Sequence, residues 1–70
     1  MIKEGTKVQW KWGIGTAKGK VEETFTEKIT KTIAGSEVTR VGEENNKALF
    51  IKQEDGSTVL KSESEVERIE

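Results

Sequence analysis

Apolar and polar residues alternate with a period of two along most of the chain, the spacing that sends successive side chains to opposite faces of a strand. In Lys7-Val8-Gln9-Trp10-Lys11-Trp12 the apolar residues fall at 8, 10 and 12, which predicts a half-buried strand with both tryptophans on its inner face. Gly13-Ile14-Gly15-Thr16 breaks the alternation, as a turn or bulge does. A second strand is predicted from Ala17 to Phe25, with Gly19, Val21 and Phe25 in phase on one side and Lys18, Lys20, Glu22 and Thr24 on the other. Its glycine marks a candidate bend. Two further segments, Ile29 to Ile33 and Ser36 to Arg40, flank Ala34-Gly35 and read as a hairpin. With a two-residue loop, Thr32 pairs with Glu37 and Thr30 with Thr39, while Ile29, Ile33 and Val38 share the other face. Neither face is cleanly apolar, so the outer part of this ribbon is expected to project.

Beyond the polar loop Gly42-Glu43-Glu44-Asn45-Asn46, Ala48-Leu49-Phe50-Ile51 is apolar on both faces, as a strand near the centre of a small sheet is. Glu54-Asp55-Gly56-Ser57 is the strongest turn signal in the chain, because Asp-Gly favours the type I′ geometry of tight hairpins. A two-residue Asp55-Gly56 tip sets Ile51 opposite Leu60. Ser64-Glu65-Val66-Glu67 matches a capping box, followed by room only for a single helical or 3₁₀ turn, or a last short strand through Val66 to Ile69.

The fold class expected is therefore all-β: a small SH3-like or Tudor-like barrel of five to six short antiparallel strands, with a projecting hairpin and a short C-terminal turn. A cold-shock or other OB-type barrel is the structural rival, although such barrels more often interleave basic and aromatic residues on neighbouring strands.

Composition narrows this picture. Seventy residues provide for one domain, taken as 1–70, because so short a chain buries only about 60% of its unfolded surface. Hydrophobic residues make up 31% and charged residues 36%, at a net charge of −1, a balance that favours folding over disorder. Residues 1–35 hold seven Lys against four Glu, and residues 36–70 five Lys and Arg against nine acids. No apolar run approaches the roughly 20 residues that span a bilayer and no secretory leader opens the chain, so the expected location is cytoplasmic and the expected state a monomer.

Cysteine, histidine, tyrosine and proline are all absent. Disulfides, thiolate metal sites, the commonest general base and most transition-metal sites are thereby excluded. The carboxylate pairs Glu22-Glu23, Glu43-Glu44 and Glu54-Asp55 lie on opposite strand faces or in solvated loops. The Glu43, Glu44, Asn45 and Asn46 run lacks the alternation of an EF-hand calcium loop. No enzyme, cofactor or metal is expected.

Several ordered blocks resemble a known family. Gly5-Thr6-Lys7-Val8-Gln9-Trp10-Lys11-Trp12-Gly13, Gly15-Thr16-Ala17-Lys18-Gly19-Lys20-Val21, Phe25-Thr26-Glu27, Thr30 to Arg40, Gln53-Glu54-Asp55-Gly56 and Val59-Leu60-Lys61-Ser62 are similar to the bacterial hypervirulence-associated Tudor-like domain family, over about Gly5 to Glu67. The resemblance implies an SH3-like or Tudor-like barrel and assigns no activity. Where that pattern has Asn-Pro, this chain has Asn46-Lys47, which predicts a less rigid loop.

Function is then a matter of surfaces. The first reading is a protein or peptide binding module, using a sheet edge or a groove beside the Trp12-Gly13 turn and the Ala34-Gly35 hairpin, with Trp10, Trp12, Gly13, Ile33 and Arg40 as ligand residues. Trp10 and Trp12 compete between core packing, with at most one edge at the surface, and ligand contact. An aromatic cage for a methylated cation has only Trp10, Trp12, Phe25 and Phe50 to draw on. The second reading is weak nucleic-acid binding through a patch of Lys7, Lys11, Lys18 and Lys20. A third is an accessory structural subunit.

Overall fold

The computed structural model describes residues 2–69. Seven strands follow in chain order: β1 (Lys7–Trp12), β2 (Gly15–Phe25), β3 (Lys28–Ile33), β4 (Ser36–Val41), β5 (Ala48–Gln53), β6 (Thr58–Ser62) and β7 (Glu67–Arg68), with a 3₁₀ turn at Glu63–Glu65. All pairings are antiparallel. Five strands form one sheet in the order β6-β5-β2-β1-β7, and β3 pairs only with β4.

The short link from β6 to β7 shapes the sheet. These strands lie at its opposite ends, about 19 Å apart if four strand spacings were laid flat. Ser62 to Glu67, with a 3₁₀ turn at Glu63–Glu65, reaches only about 13 Å. The sheet must curl until its edges approach. Both alternatives for the C-terminal segment are present, as the 3₁₀ turn and then β7. The capping glutamate sits two positions earlier than the sequence pattern placed it: Glu65 Oε1 accepts from the Ser62 amide at 2.8 Å, so Ser62, not Ser64, starts the turn.

Curling gives β5 two buried faces. Leu49 and Ile51 join Val8, Trp10 and Val21 in the principal core, with Ile2, Ala17, Val59 and Val66 packed around it. Ala48 is fully buried on the other face, in line with Phe50, which pairs with buried Leu60. The β3–β4 ribbon covers this second face: both strands touch β6, and Lys31 Nζ stands 4.9 Å from the Phe50 ring centre and 5.4 Å from that of Phe25. The same ammonium lies 3.3 Å from Glu23 Oε1.

Two register details depart from the alternation. Ile51 pairs with Val59, and Leu60 with Phe50, one position away from the pairing a two-residue Asp55-Gly56 loop requires. A type I′ turn needs positive φ at both central residues, and here Gly56 has it (φ 90) while Asp55 does not. The Gly56 amide bonds the Gln53 carbonyl at 3.0 Å and the Gln53 amide the Ser57 carbonyl at 2.8 Å, which makes a three-residue loop with Gly56 as the bulge. A one-residue slip exchanges the faces of every side chain on the strand. On β2 a bulge between Val21 and Glu23 does the same, so that Val21 pairs with Ile51 but Phe25 with Ala48. Phe25 therefore lies on the face opposite Val21, and not in phase with it.

The ribbon keeps the expected register, with Thr30 opposite Thr39 and Thr32 opposite Glu37, and the Thr30 and Thr39 hydroxyls are 2.8 Å apart. Its turn is the I′ one: Ala34 has φ 51 and Gly35 φ 82. An alanine in the left-handed region is strained by roughly 1 kcal/mol, which asparagine tolerates better. Ala34→Asn is expected to stabilise the protein by about 0.5–1 kcal/mol, read as a raised urea midpoint at unchanged slope; an unchanged or lowered midpoint would contradict the strain.

The Asn46-Lys47 loop is tied down without proline. Glu63 Oε1 accepts from the Lys47 amide at 2.7 Å, Asn46 Oδ1 accepts from the Ser64 amide at 3.1 Å, and the Glu63 amide bonds the Lys47 carbonyl at 2.9 Å. Proline at 47 would remove the first of these donors.

Candidate functional site

The two tryptophans of β1 have different fates. Trp10 pairs with Ala17, projects into the core and is only 6% exposed. Trp12 is in phase with it yet 72% exposed, which corrects the expectation that both rings pack inside. The cause is where the sheet ends. Trp12 pairs with Gly15, which offers no side chain, and β5 stops at Gln53, opposite Gly19. Among the described residues no strand continues along the β5 side of β2 to the level of Gly15, so the ring overhangs. Gly13 closes the turn with φ 58 while Ile14 stays at negative φ, the type II′ arrangement, and Ile14 is fully exposed beside Trp12.

Under this overhang lies a cleft of about 220 Å³. Trp10, Trp12, Ala17 and Val59 form its apolar walls, and Gln53, Asp55, Ser57 and Lys61 its rim. The rim is ordered internally. Gln53 Nε2 donates to Ser57 Oγ at 3.1 Å, and Asp55 Oδ1 accepts from the Ser57 hydroxyl at 2.7 Å and from its amide at 2.9 Å. Those two bonds hold the Asp55 carboxyl below the usual carboxylate range. Sequence reasoning missed Ala17 on β2 and, on the β5–β6 hairpin, Gln53, Asp55, Ser57, Val59 and Lys61. Only the correct register of that hairpin brings its residues to Trp12, and no local pattern encodes that.

Ile33 and Arg40 are not brought to this cleft. They belong to the half-buried face of the β3–β4 ribbon, which covers the opposite side of β5. Arg40 is a tie: its Nε donates to Glu65 Oε1 at 3.1 Å and its Nη1 to the Thr39 carbonyl at 3.1 Å. Burial works to raise the Glu65 carboxyl, but the Ser62 amide and Arg40 together hold it below its ordinary value. The expected groove between the Trp12-Gly13 turn and the ribbon is thus replaced by a cleft between the β1–β2 and β5–β6 turns. Nor do the four aromatics converge as a cage, since Phe25 and Phe50 sit under Lys31 on the far face.

The lysines of the first two strands divide as well. Lys7 pairs with Lys20 and Lys20 with Lys52; these three and Lys18 border a shallow depression of about 280 Å³, together with Gly19, Glu54 and Ile69. Lys52 is an addition to the expected set. Lys11 lies opposite Thr16 and borders a separate groove beside Ser64, Glu65, Val66 and Glu67. Among the described residues no three acidic groups converge as metal ligands, and no helix is long and apolar enough to cross a membrane.

No curated protein and no solved structure matches the chain. Residues 5–66 match the model of the family described as Hypervirulence associated proteins TUDOR domain, a span that runs from before β1 through the 3₁₀ turn and includes every residue of the tryptophan cleft. The chain belongs to this hypervirulence-associated TUDOR domain family.

Proposed function

We propose that residues 1–70 act as one non-catalytic binding module whose SH3-like barrel takes a protein or peptide ligand in the Trp10–Trp12 cleft. The observation that carries this reading is Trp12, 72% exposed above an apolar-walled cleft. Tryptophan is the residue that most often anchors protein interfaces, because one rigid ring buries a large area at small entropic cost. Gln53, Asp55 and Ser57 on the rim already bond to one another, so a ligand need not rebuild them and gains chiefly by covering the ring. An extended segment carrying a bulky apolar or cationic side chain against the indole fits this chemistry. The absence of His, Cys and Tyr supports a role without catalysis.

Selection of peptides from a random displayed library, followed by NMR titration of the selected sequence, tests the proposal. Shifts are expected at the Trp12 indole, Gln53 and Val59. Trp12→Ala is expected to weaken binding at least about tenfold, equivalent to 1.4 kcal/mol, while leaving the thermal midpoint in place because the ring is exposed. Full affinity in Trp12→Ala, or shifts confined to the β3–β4 ribbon, would refute it.

A further inference from the structure

β1 is paired along its whole length on one side and along part of it on the other. Every residue from Lys7 to Trp12 has a partner on β2, whereas β7 matches only Val8 and Gln9. Backbone groups of an antiparallel strand point to its two neighbours in alternation, and the Ile69 amide bonds the Lys7 carbonyl at 3.1 Å, so positions 7, 9 and 11 direct their amides and carbonyls away from β2. Glu67 answers Gln9. The same register would set Glu65 against Lys11, but there the chain has entered its 3₁₀ turn and the Val66 amide bonds the Glu63 carbonyl at 3.2 Å. Among the described residues, the Lys11 amide and carbonyl therefore have no backbone partner. The Gly13 amide, one alternation further on, points the same way, outside the Trp12–Gly15 pair that closes the turn.

An unpaired edge is a template for a further strand, and its surroundings set this one apart. The β3–β4 ribbon has edges too, but β4 lies against β6 and neither ribbon strand carries an aromatic residue. Beside Lys11 stand the exposed Trp12 and a groove of about 320 Å³ bordered by Lys11 and by Ser64 to Glu67. Val66 packs against the core at the place opposite Trp10, so an added strand has room only from Lys11 toward the turn. We infer that an extended peptide pairs antiparallel with Lys11–Gly13, in line with β7, by main-chain bonds of the kind that lengthen sheets in peptide recognition; this inference rests on the cleft reading and supplies its binding mode. The peptide residue opposite Trp12 is apolar and covers the indole, and the next residue, opposite Lys11, lies on the outer face. An acidic side chain suits that position, because opposite charges on directly facing residues attract, and Glu65 and Glu67 in the groove already accept from Arg40 and Gln9. The chain then leaves through the groove.

Titration of the protein with the synthetic peptide acetyl-Thr-Thr-Phe-Glu-Gly-Ser-amide, followed by NMR, tests the inference. At saturation the Trp12 indole is expected to shift, and hydrogen exchange of the Lys11 and Gly13 amides to slow at least about threefold. Two methylated peptides probe the alternation without touching the fold. N-methylation of the glutamate removes the donor to the Lys11 carbonyl and is expected to weaken binding at least about tenfold, whereas N-methylation of the phenylalanine, whose amide faces away from β1, is expected to leave it unchanged. Equal binding of the two methylated peptides, or shifts at Trp12, Gln53 and Val59 with exchange at Lys11 and Gly13 unaltered, would overturn the edge pairing and leave the cleft reading standing. No binding of the parent peptide at about 5 mM would overturn it as well, the cleft itself then being judged by the library selection.

Discussion

Trp10→Ala is expected to unfold the protein at ambient temperature. The ring is 6% exposed and packs with Val8, Val21, Leu49 and Ile51, residues drawn from three strands of the sheet. Removing a buried aromatic side chain costs about 3–5 kcal/mol, through lost transfer energy and the cavity left behind. Stability in a chain of this length is of the same order, at roughly 0.05–0.15 kcal/mol per residue. The contrast with Trp12→Ala makes the experiment decisive. Two tryptophans two positions apart in one strand are predicted to differ completely, one substitution collapsing the dispersed amide spectrum and the other leaving it intact. A folded Trp10→Ala protein with a parent-like urea midpoint would take the ring out of the core and assign it wholly to the cleft.

The second large effect belongs to Gly42. Its φ is not in the left-handed region, so conformation does not demand glycine there; space does. A β-carbon at this position would collide with the Phe25 carbonyl oxygen and come within 3.0 Å of the Ala48 nitrogen. Gly42 follows the last residue of β4 and donates its amide to the Glu27 carbonyl at 3.0 Å, at the point where the ribbon passes over the end of the β2–β5 ladder. The colliding atoms are backbone, and a single methyl must therefore displace one of two strands. Gly42→Ala is expected to cost about 3 kcal/mol, the upper end for overpacking. Gly15→Ala is the matched control, because its β-carbon would meet nothing nearer than the Trp12 carbonyl oxygen at 3.8 Å, and its effect is expected to be within about 0.5 kcal/mol. Equal urea midpoints for the two variants would refute the close approach.

Much of the fold was legible because alternation and local turn chemistry agree. β1, the β3–β4 register and the two-faced apolar character of β5 all follow from side-chain period. The two register failures share one physical source, a single extra residue. At Gly56 the Asp55-Gly56 pair signals a tighter loop than the backbone makes, and at Glu22-Glu23 a bulge inverts the phase of Phe25. Alternation carries no mark of either, because a bulge is set by pairing with a distant strand. Trp12 was misjudged for a related reason: phase tells which face a side chain takes, but not whether a neighbouring strand reaches far enough to cover it. Lys52 joins Lys20 across the β2–β5 ladder, a partnership no nearby residue announces.

The ladder between β1 and β7 sets Val8 opposite Arg68, almost the full length of the chain apart. β1 leaves a ribosome before β7, so one edge of β1 stays open until Glu67 and Arg68 have been made. Pairings of such long sequence separation make folding slow, on the order of milliseconds to seconds. In that interval the alternating lysines at 7 and 11 keep charge on the open strand, the feature that discourages edge-to-edge pairing with another chain.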